Sequence, residues 1–176
     1  MTSFKNKSFT LVEILVVLGI ISLLTLLILP QYRRGQESLA LQRAAHQIAQ
    51  DIRRAQEMAT SAKEINGVPP RYGVKFDVNN PAYYILFSDI NDNGTYQPPD
   101  EIIETINLEK GISIYQILVS DPPVSKTEVC ITFKPPDPST EIRDPGGPFS
   151  IASIQLIGDS EIKSIKVNES GLIYVE

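Results

Sequence analysis

Two stretches of this chain carry side chains whose types and spacing could do chemistry. In the first, Asp89-Ile90-Asn91-Asp92-Asn93-Gly94-Thr95-Tyr96-Gln97-Pro98-Pro99-Asp100, oxygen side chains stand at alternate positions, glycine follows the third of them, and an acid closes the run. Calcium takes about six to eight oxygen ligands, and alternating side chains around a glycine turn can supply them. The candidate ligands are Asp89, Asn91, Asn93, Thr95 and Asp100. The competing reading is a loop whose Asx side chains bond their own backbone. In the second stretch, Glu13 is the one acid beside a long apolar run. A carboxylate at the centre of a membrane span costs about 2.5–3.5 kcal/mol, and less near the interface. Glu13 therefore either sits at headgroup level or has a cationic partner. A cut before Phe9 would create an α-amino group four residues away, on its own chain or on a neighbour.

The elements that must position these groups differ in kind. Met1–Ser8 is short and basic, with Lys5 and Lys7. From Ile14 to Leu29 no residue is charged. As a helix, residues 9–29 reach roughly 31 Å at ~1.5 Å per residue, the thickness of a bilayer's hydrocarbon. A cleaved secretory signal is the other way to read such a run. Its small-residue site is displaced, however: Ser38-Leu39-Ala40 is the nearest candidate. Charge leaves the orientation open, since Lys5 and Lys7 face Arg33 and Arg34 across the run.

Ser8-Phe9-Thr10-Leu11-Val12-Glu13 and the aliphatic run after it resemble the processing motif of type IV prepilins and type II secretion pseudopilins. Those families carry a small residue, usually glycine, before Phe-Thr-Leu-x-Glu, and here Ser8 takes its place. Pro30 falls where many pilins carry a helix-kinking proline. The resemblance implies cleavage by prepilin peptidase between Ser8 and Phe9, N-methylation of Phe9, and a role for Glu13 and Pro30 in assembly with other pilin or pseudopilin subunits.

Beyond Pro30, Leu41, Ala45, Ile48, Ile52, Ala55, Ala59 and Ala62 recur at spacings of three and four, one apolar helical face. A helix over about residues 9–62 is expected, bent or locally melted from Pro30 to Gly35 because proline removes a backbone donor and crowds the preceding turn. Asn66-Gly67-Val68-Pro69-Pro70 breaks it. The pattern then changes to period two. Strands are expected near 72–78, 82–88, 102–107, 112–118, 128–133, 151–156, 163–167 and 172–175. Lys134–Phe149 holds five prolines and two glycines and reads as a long loop. The fold class is α+β: a long N-terminal pilin-like helix packed on an antiparallel sheet or sandwich-like domain. The expected divisions are a leader at 1–8, an apolar transmembrane and assembly helix at 9–30, an amphipathic continuation at 31–64 and a globular β-domain at 65–176.

The stretch Tyr84–Glu101 and the segment Ile52–Ala59 are similar to elements of FimT/GspH-type minor pilins and pseudopilins. The loop of the first paragraph also resembles an EF-hand loop, with three departures: Asp100 replaces the longer Glu, two prolines precede it, and strands flank it. Some FimT/GspH-type proteins bind DNA through cations near a C-terminal Gly-Arg element. Here Gly171 is followed by Leu172, Ile173 and an acidic terminus, and phosphate binding needs cations. Net charge is −5, which also disfavours nucleic acid as a partner. The single cysteine, Cys130, excludes an internal disulfide, and the single histidine, His46, makes a His-based metal site or a Ser-His-Asp triad hard to build. No catalytic set stands out, and no cofactor other than calcium is suggested. The function these features imply is that of a minor pilin or pseudopilin: a non-enzymatic, single-pass protein of the cytoplasmic (inner) membrane, with its C-terminal domain outside the cytoplasm, incorporated into a type IV pilus or secretion filament. The alternative is a membrane-tethered extracellular binding module, either a DNA-uptake receptor or a calcium-stabilised adhesin domain.

Overall fold

The computed structural model describes residues 9–61, 70–97, 101–135, 139–159 and 161–176, with the backbone alone at 29–34 and 101. Ser8 and the rest of the leader, Ala62, the breaker at 66–69, and Pro98, Pro99 and Asp100 lie outside them. The chain divides into two compact units, Met1–Gln36 and Glu37–Glu176.

One helix, α1 (Leu11–Thr60), runs through the end of the first unit into the second. Its backbone is helical without interruption at residues 30–35, so the expected melting there does not occur. Proline costs one hydrogen-bond donor, while its fixed φ is itself helical. The residues on either side of it, Leu26-Leu27-Ile28-Leu29 and Gln31-Tyr32-Arg33-Arg34, carry the helix past that loss. From Leu41 onward the helix buries one stripe. Leu41, Ala45, Ile48, Ile52, Ala55 and Ala59 are inside as their spacing predicts, joined by Ala44 and Ala49. His46 is exposed on the opposite face.

The strands are β1 (Arg71–Asp77), β2 (Tyr83–Asp89), β3 (Glu101–Asn107), β4 (Ser113–Val119), β5 (Val124–Lys126), β6 (Glu128–Lys134), β7 (Ser139–Asp144), β8 (Gly147–Phe149), β9 (Ile151–Ile157), β10 (Ile162–Asn168) and β11 (Ile173–Val175). They form two antiparallel sheets, ordered β3-β2-β1-β6-β7-β8 and β11-β10-β9-β4-β5. The inner faces of both sheets share one core with the helical stripe: Tyr72, Val74, Phe76 and Ile131 from the first sheet, Ile117, Ile154 and Ile165 from the second. The fold is α+β, with a long helix against antiparallel sheets. Tyr84 couples the layers directly, donating its hydroxyl to Asp51 Oδ2 on the helix at 2.6 Å.

Two expectations fail here. The proline-rich stretch 134–149 is not a plain loop. Residues 139–144 form β7, paired along β6, and 147–149 form the edge strand β8. The prolines described there respect the ladder: Pro135 follows the end of β6, Pro145 follows the end of β7, and Pro148 lies on the edge strand, where a missing donor is tolerated. The tight turn between them is held by Asp144 Oδ1, which accepts from the Gly146 and Gly147 amides at 2.7 and 2.9 Å. β1 also departs from half-burial at one position: Gly73, on its second face, is buried, while Arg71, Lys75 and Asp77 on that face stay partly exposed.

Gly73 shows how tight that cover is. A Cβ there would lie 2.5 Å from Thr132 Cγ2 and 2.7 Å from the Ile131 carbonyl oxygen. Gly73→Ala should destabilise the chain by about 1–3 kcal/mol through overpacking between β1 and β6. Gly35→Ala, which meets nothing within 4 Å, should cause no loss. Denaturant midpoints of the two variants check this.

Candidate functional site

The N-terminal segment is built from a cap and an apolar cylinder. Thr10 precedes the helix, and its Oγ1 accepts from the Glu13 amide at 3.2 Å while its carbonyl accepts from Ile14 at 3.3 Å. This is the N-cap half of a Thr-x-x-Glu capping box. Its sequence signal is Thr10 with Glu13 three residues on, at the start of the apolar run. Leu11–Ile28 is long and apolar enough to cross a membrane, with a mean hydropathy of 2.9 and none of it buried. Its two hydroxyls turn inward on the backbone: Ser22 Oγ donates to the Leu18 carbonyl and Thr25 Oγ1 to that of Ile21, each at 2.8 Å. Both hydroxyls are thereby satisfied within the cylinder, as an apolar surrounding requires. Glu13 stands apart. Its carboxylate is exposed and has no partner among the described residues. Phe9 is also exposed, one residue before the cap.

The second candidate site lies on the outer face of the six-stranded sheet. Register places Arg71 opposite Asp89, Gly73 opposite both Phe87 and Thr132, and Thr132 opposite Glu141. The loop 90–97 folds over this face. Tyr96 packs edge-on against Phe87 with centroids 5.4 Å apart, and its amide donates to Cys130 Sγ at 3.4 Å. Cys130 thus points away from the shared core, under the loop, where burial pushes its thiol up to about 12 and keeps it unreactive.

The sequence-predicted ligands Asp89, Asn91, Asn93 and Thr95 do come together, but around backbone. Asp89 is fully buried. Its Oδ1 accepts from the Asn93 amide at 3.2 Å and its Oδ2 from the Gly94 amide at 2.7 Å. Asn91 Oδ1 accepts from the Asn93 amide at 3.2 Å, and Asn93 Oδ1 from the Thr95 amide at 2.7 Å. These are Asx turns in series. Gly94 adopts φ +77 directly beneath Arg143, where a Cβ would come within 2.7 Å of Arg143 Cδ.

Cations occupy the remaining acidic positions. Arg71 hydrogen-bonds to Asp92 and to Glu141 and lies 4.0 Å from Asp89. Lys134 Nζ contacts Asp92 Oδ2 and Arg143 Nη1 contacts Glu141 Oε1, each at 2.7 Å. Burial pushes the Asp92 carboxyl up, but the bonds from Lys134 and Arg71 outweigh it and hold it below its ordinary 3.8. Glu141 is treated alike: Arg71 and Arg143 outweigh burial and hold it below 4.5. A calcium ion would have to displace Arg71 and take Asp89 away from two amides. Among the described residues no three His, Cys, Asp or Glu side chains are grouped to hold a metal. The described part of the loop does not fit a calcium site. Its cations come from strands distant in sequence, so only the pairing of β1, β6 and β7 reveals them.

The C-terminal stretch is likewise turned on itself. Asn168 Oδ1 accepts from the Leu172 amide at 3.0 Å and from Ser170 Oγ at 2.7 Å. Glu176 pairs with Lys166 at 2.7 Å. No array of free cations faces outward there to hold phosphates.

With this geometry in view, the comparisons divide the chain. A model of the prokaryotic N-terminal methylation motif matches residues 3–29. The chain therefore carries the prepilin-type signal, which supports the class of type IV pilin-like and pseudopilin subunits. No curated protein and no solved structure matches the chain.

Two outcomes follow from the loop. Thermal unfolding curves recorded with calcium and with chelator should coincide; a rise in midpoint with calcium would contradict the geometry. The carboxylates Asp92 and Glu141 have depressed folded-state values. Their stabilisation is present above the ordinary values of 3.8 and 4.5 and is lost as pH falls through the lower folded ones. The unfolding midpoint should drop between about pH 5 and pH 2. Lys134→Gln, which removes one of the two cations on Asp92 and leaves Arg71, should flatten that drop in part.

Proposed function

We propose that the chain is a minor pilin or pseudopilin of the FimT/GspH type, a structural rather than catalytic subunit of a type IV pilus or type II secretion-like filament. Prepilin peptidase cuts between Ser8 and Phe9, and the new Phe9 amine is methylated. The leader is 1–8, the assembly helix 9–30, its amphipathic continuation 31–64 and the β-domain 65–176. Before assembly the chain crosses the cytoplasmic membrane once, with the β-domain outside the cytoplasm. Its partners are other pilin or pseudopilin subunits.

The observation that carries this reading is Glu13. It is a partnerless carboxylate, among the described residues, at the head of an otherwise uncharged apolar cylinder that matches a methylation motif. Removing an acid from water without a counter-charge costs several kcal/mol. A cationic amine on Phe9 of an adjacent subunit offsets that cost, and it does so only at one axial register. The same residue therefore supports both attraction between subunits and the choice of position. Retention of charge on a methylated secondary amine keeps the pairing intact after modification.

Mass spectrometry of the mature protein should find Phe9 at the N-terminus, heavier by one methyl group. Glu13→Ala should leave cleavage and membrane insertion intact and remove the subunit from sheared filaments. Incorporation of that variant at the normal level would overturn the role given to Glu13.

A further inference from the structure

The outer face of the five-stranded sheet is indented. Register aligns Lys166, Ser153 and Leu118 in one row, and Ser164, Gln155 and Gln116 in the next. Small serines at the centre and longer side chains around them leave a dish of about 450 Å³. That is within the range of small-ligand sites, roughly 300–1,000 Å³. Leu118, Ile151 and Pro123 give it apolar surface. One wall is the turn at Ser120–Pro123, where Ser120 holds a left-handed φ of 69°. A residue other than glycine keeps that conformation only when its surroundings impose it.

The polar content of the dish narrows what it can hold. Ser153 Oγ is screened from solvent and has no hydrogen-bond partner among the described residues. Buried hydroxyls are normally paired, so this one calls for a partner. Lys166 is already neutralised by Glu176, and Asp121 adds a second carboxylate to the lining. An anion such as phosphate would meet more negative than positive charge there. A purely apolar ligand would leave the serines and Gln155 unpaired, which polar sites reject strongly. What fits is a neutral ligand that donates and accepts hydrogen bonds over a short distance and has an apolar C–H face.

We propose that this dish is a binding subsite for a neutral saccharide. Ser153 and Gln155 bond ring hydroxyls from the floor, Glu176 and Asp121 accept hydroxyl protons at the rim, and Leu118 and Ile151 carry the C–H face. The exposed Lys166–Glu176 pair is the movable cover: an exposed ion pair is weak enough to be exchanged for ligand contacts. The site belongs to the β-domain and is independent of processing at Phe9.

The test uses the full chain in a detergent with no sugar head group. Saturation-transfer NMR is recorded with methyl glucoside, methyl galactoside, N-acetylglucosamine and chitobiose, and with glucuronate and inorganic phosphate as anionic probes. Transfer to ring protons of at least one neutral sugar is expected. Ser153→Val, which fills the floor and removes its hydroxyl, should weaken that sugar about tenfold or more, and so should Gln155→Ala. His46→Ala, on the exposed face of the helix, should change nothing. Circular dichroism of each variant confirms folding, and Ser153→Ala serves should the valine variant unfold. Absence of transfer from all four sugars overturns the proposal. So does binding that the floor variants leave unchanged, or binding of glucuronate or phosphate tighter than that of every neutral sugar.

Discussion

One helix in this chain has to be stable in two different surroundings, and the rest of the structure depends on how it does so. Over Leu11–Ile28 it presents apolar side chains on every side. In such surroundings each backbone group must be satisfied internally, and a continuous helix is the way a single segment does it. From Leu41 to Ala59 the same helix buries only a stripe. Five of its buried residues are alanines: Ala44, Ala45, Ala49, Ala55 and Ala59. Small side chains let strands approach the helix axis, while Leu41, Ile48 and Ile52 fill the space between. Both sheets end on that stripe. Two ion pairs beside it are Arg43 to Glu109 at 2.8 Å and Arg54 to Glu104 at 2.6 Å. They are exposed, and exposed pairs contribute about 0–1 kcal/mol. They align the helix on the β-domain; apolar burial holds it there.

The two sheets finish their outer faces in opposite ways. On the six-stranded sheet, loop 90–97 closes over Gly73, Phe87, Cys130 and Thr132, so the second face of β1 is buried at Gly73. The loop stays down because Asp89 is wholly inside and spends both its oxygens on the loop's own amides, with Arg71 beside it. On the five-stranded sheet no such loop among the described residues folds over the row of Ser153 and Gln155, and the face is left polar and indented. Lys126 of β5 joins the two halves: its ammonium meets Asp144 of β7 at 2.7 Å and lies 5.1 Å over the Phe149 ring of β8.

Much of this was legible in the sequence, and the reasons are physical. The apolar cylinder, the stripe and eight strands announce themselves by local periodicity, because a helix face repeats every 3.6 residues and a strand face every two. What was not legible depends on pairing between distant segments. Ser139–Asp144 has one apolar residue, Ile142, so it shows no alternation; it is a strand because β6 offers an edge. Val124–Lys126 is too short to carry a pattern. The alternation of β1 correctly marked Tyr72, Val74 and Phe76 as inward, yet it could not show that a loop covers the other side. The Asp89–Thr95 spacing was legible as oxygen-rich. Whether those oxygens face a metal or amides was not, because Arg71, Lys134 and Arg143 reach them from other strands.

Asp89 and Glu13 together separate folding from assembly. Both are carboxylates in apolar surroundings, and both are costly unless compensated. Asp89 is compensated wholly within its own chain, by amides two turns of loop away and by a guanidinium on the next strand. It therefore belongs to folding. Glu13 has its backbone amide satisfied by Thr10 and its carboxylate satisfied by no described residue. The fold pairs its deepest acid thoroughly and leaves the other, among the described residues, unpaired at the head of its most apolar element. In the filament proposed above, the missing charge comes from the Phe9 amine of a neighbouring subunit, and the quantity Glu13 then controls is the partner's position rather than the subunit's own stability.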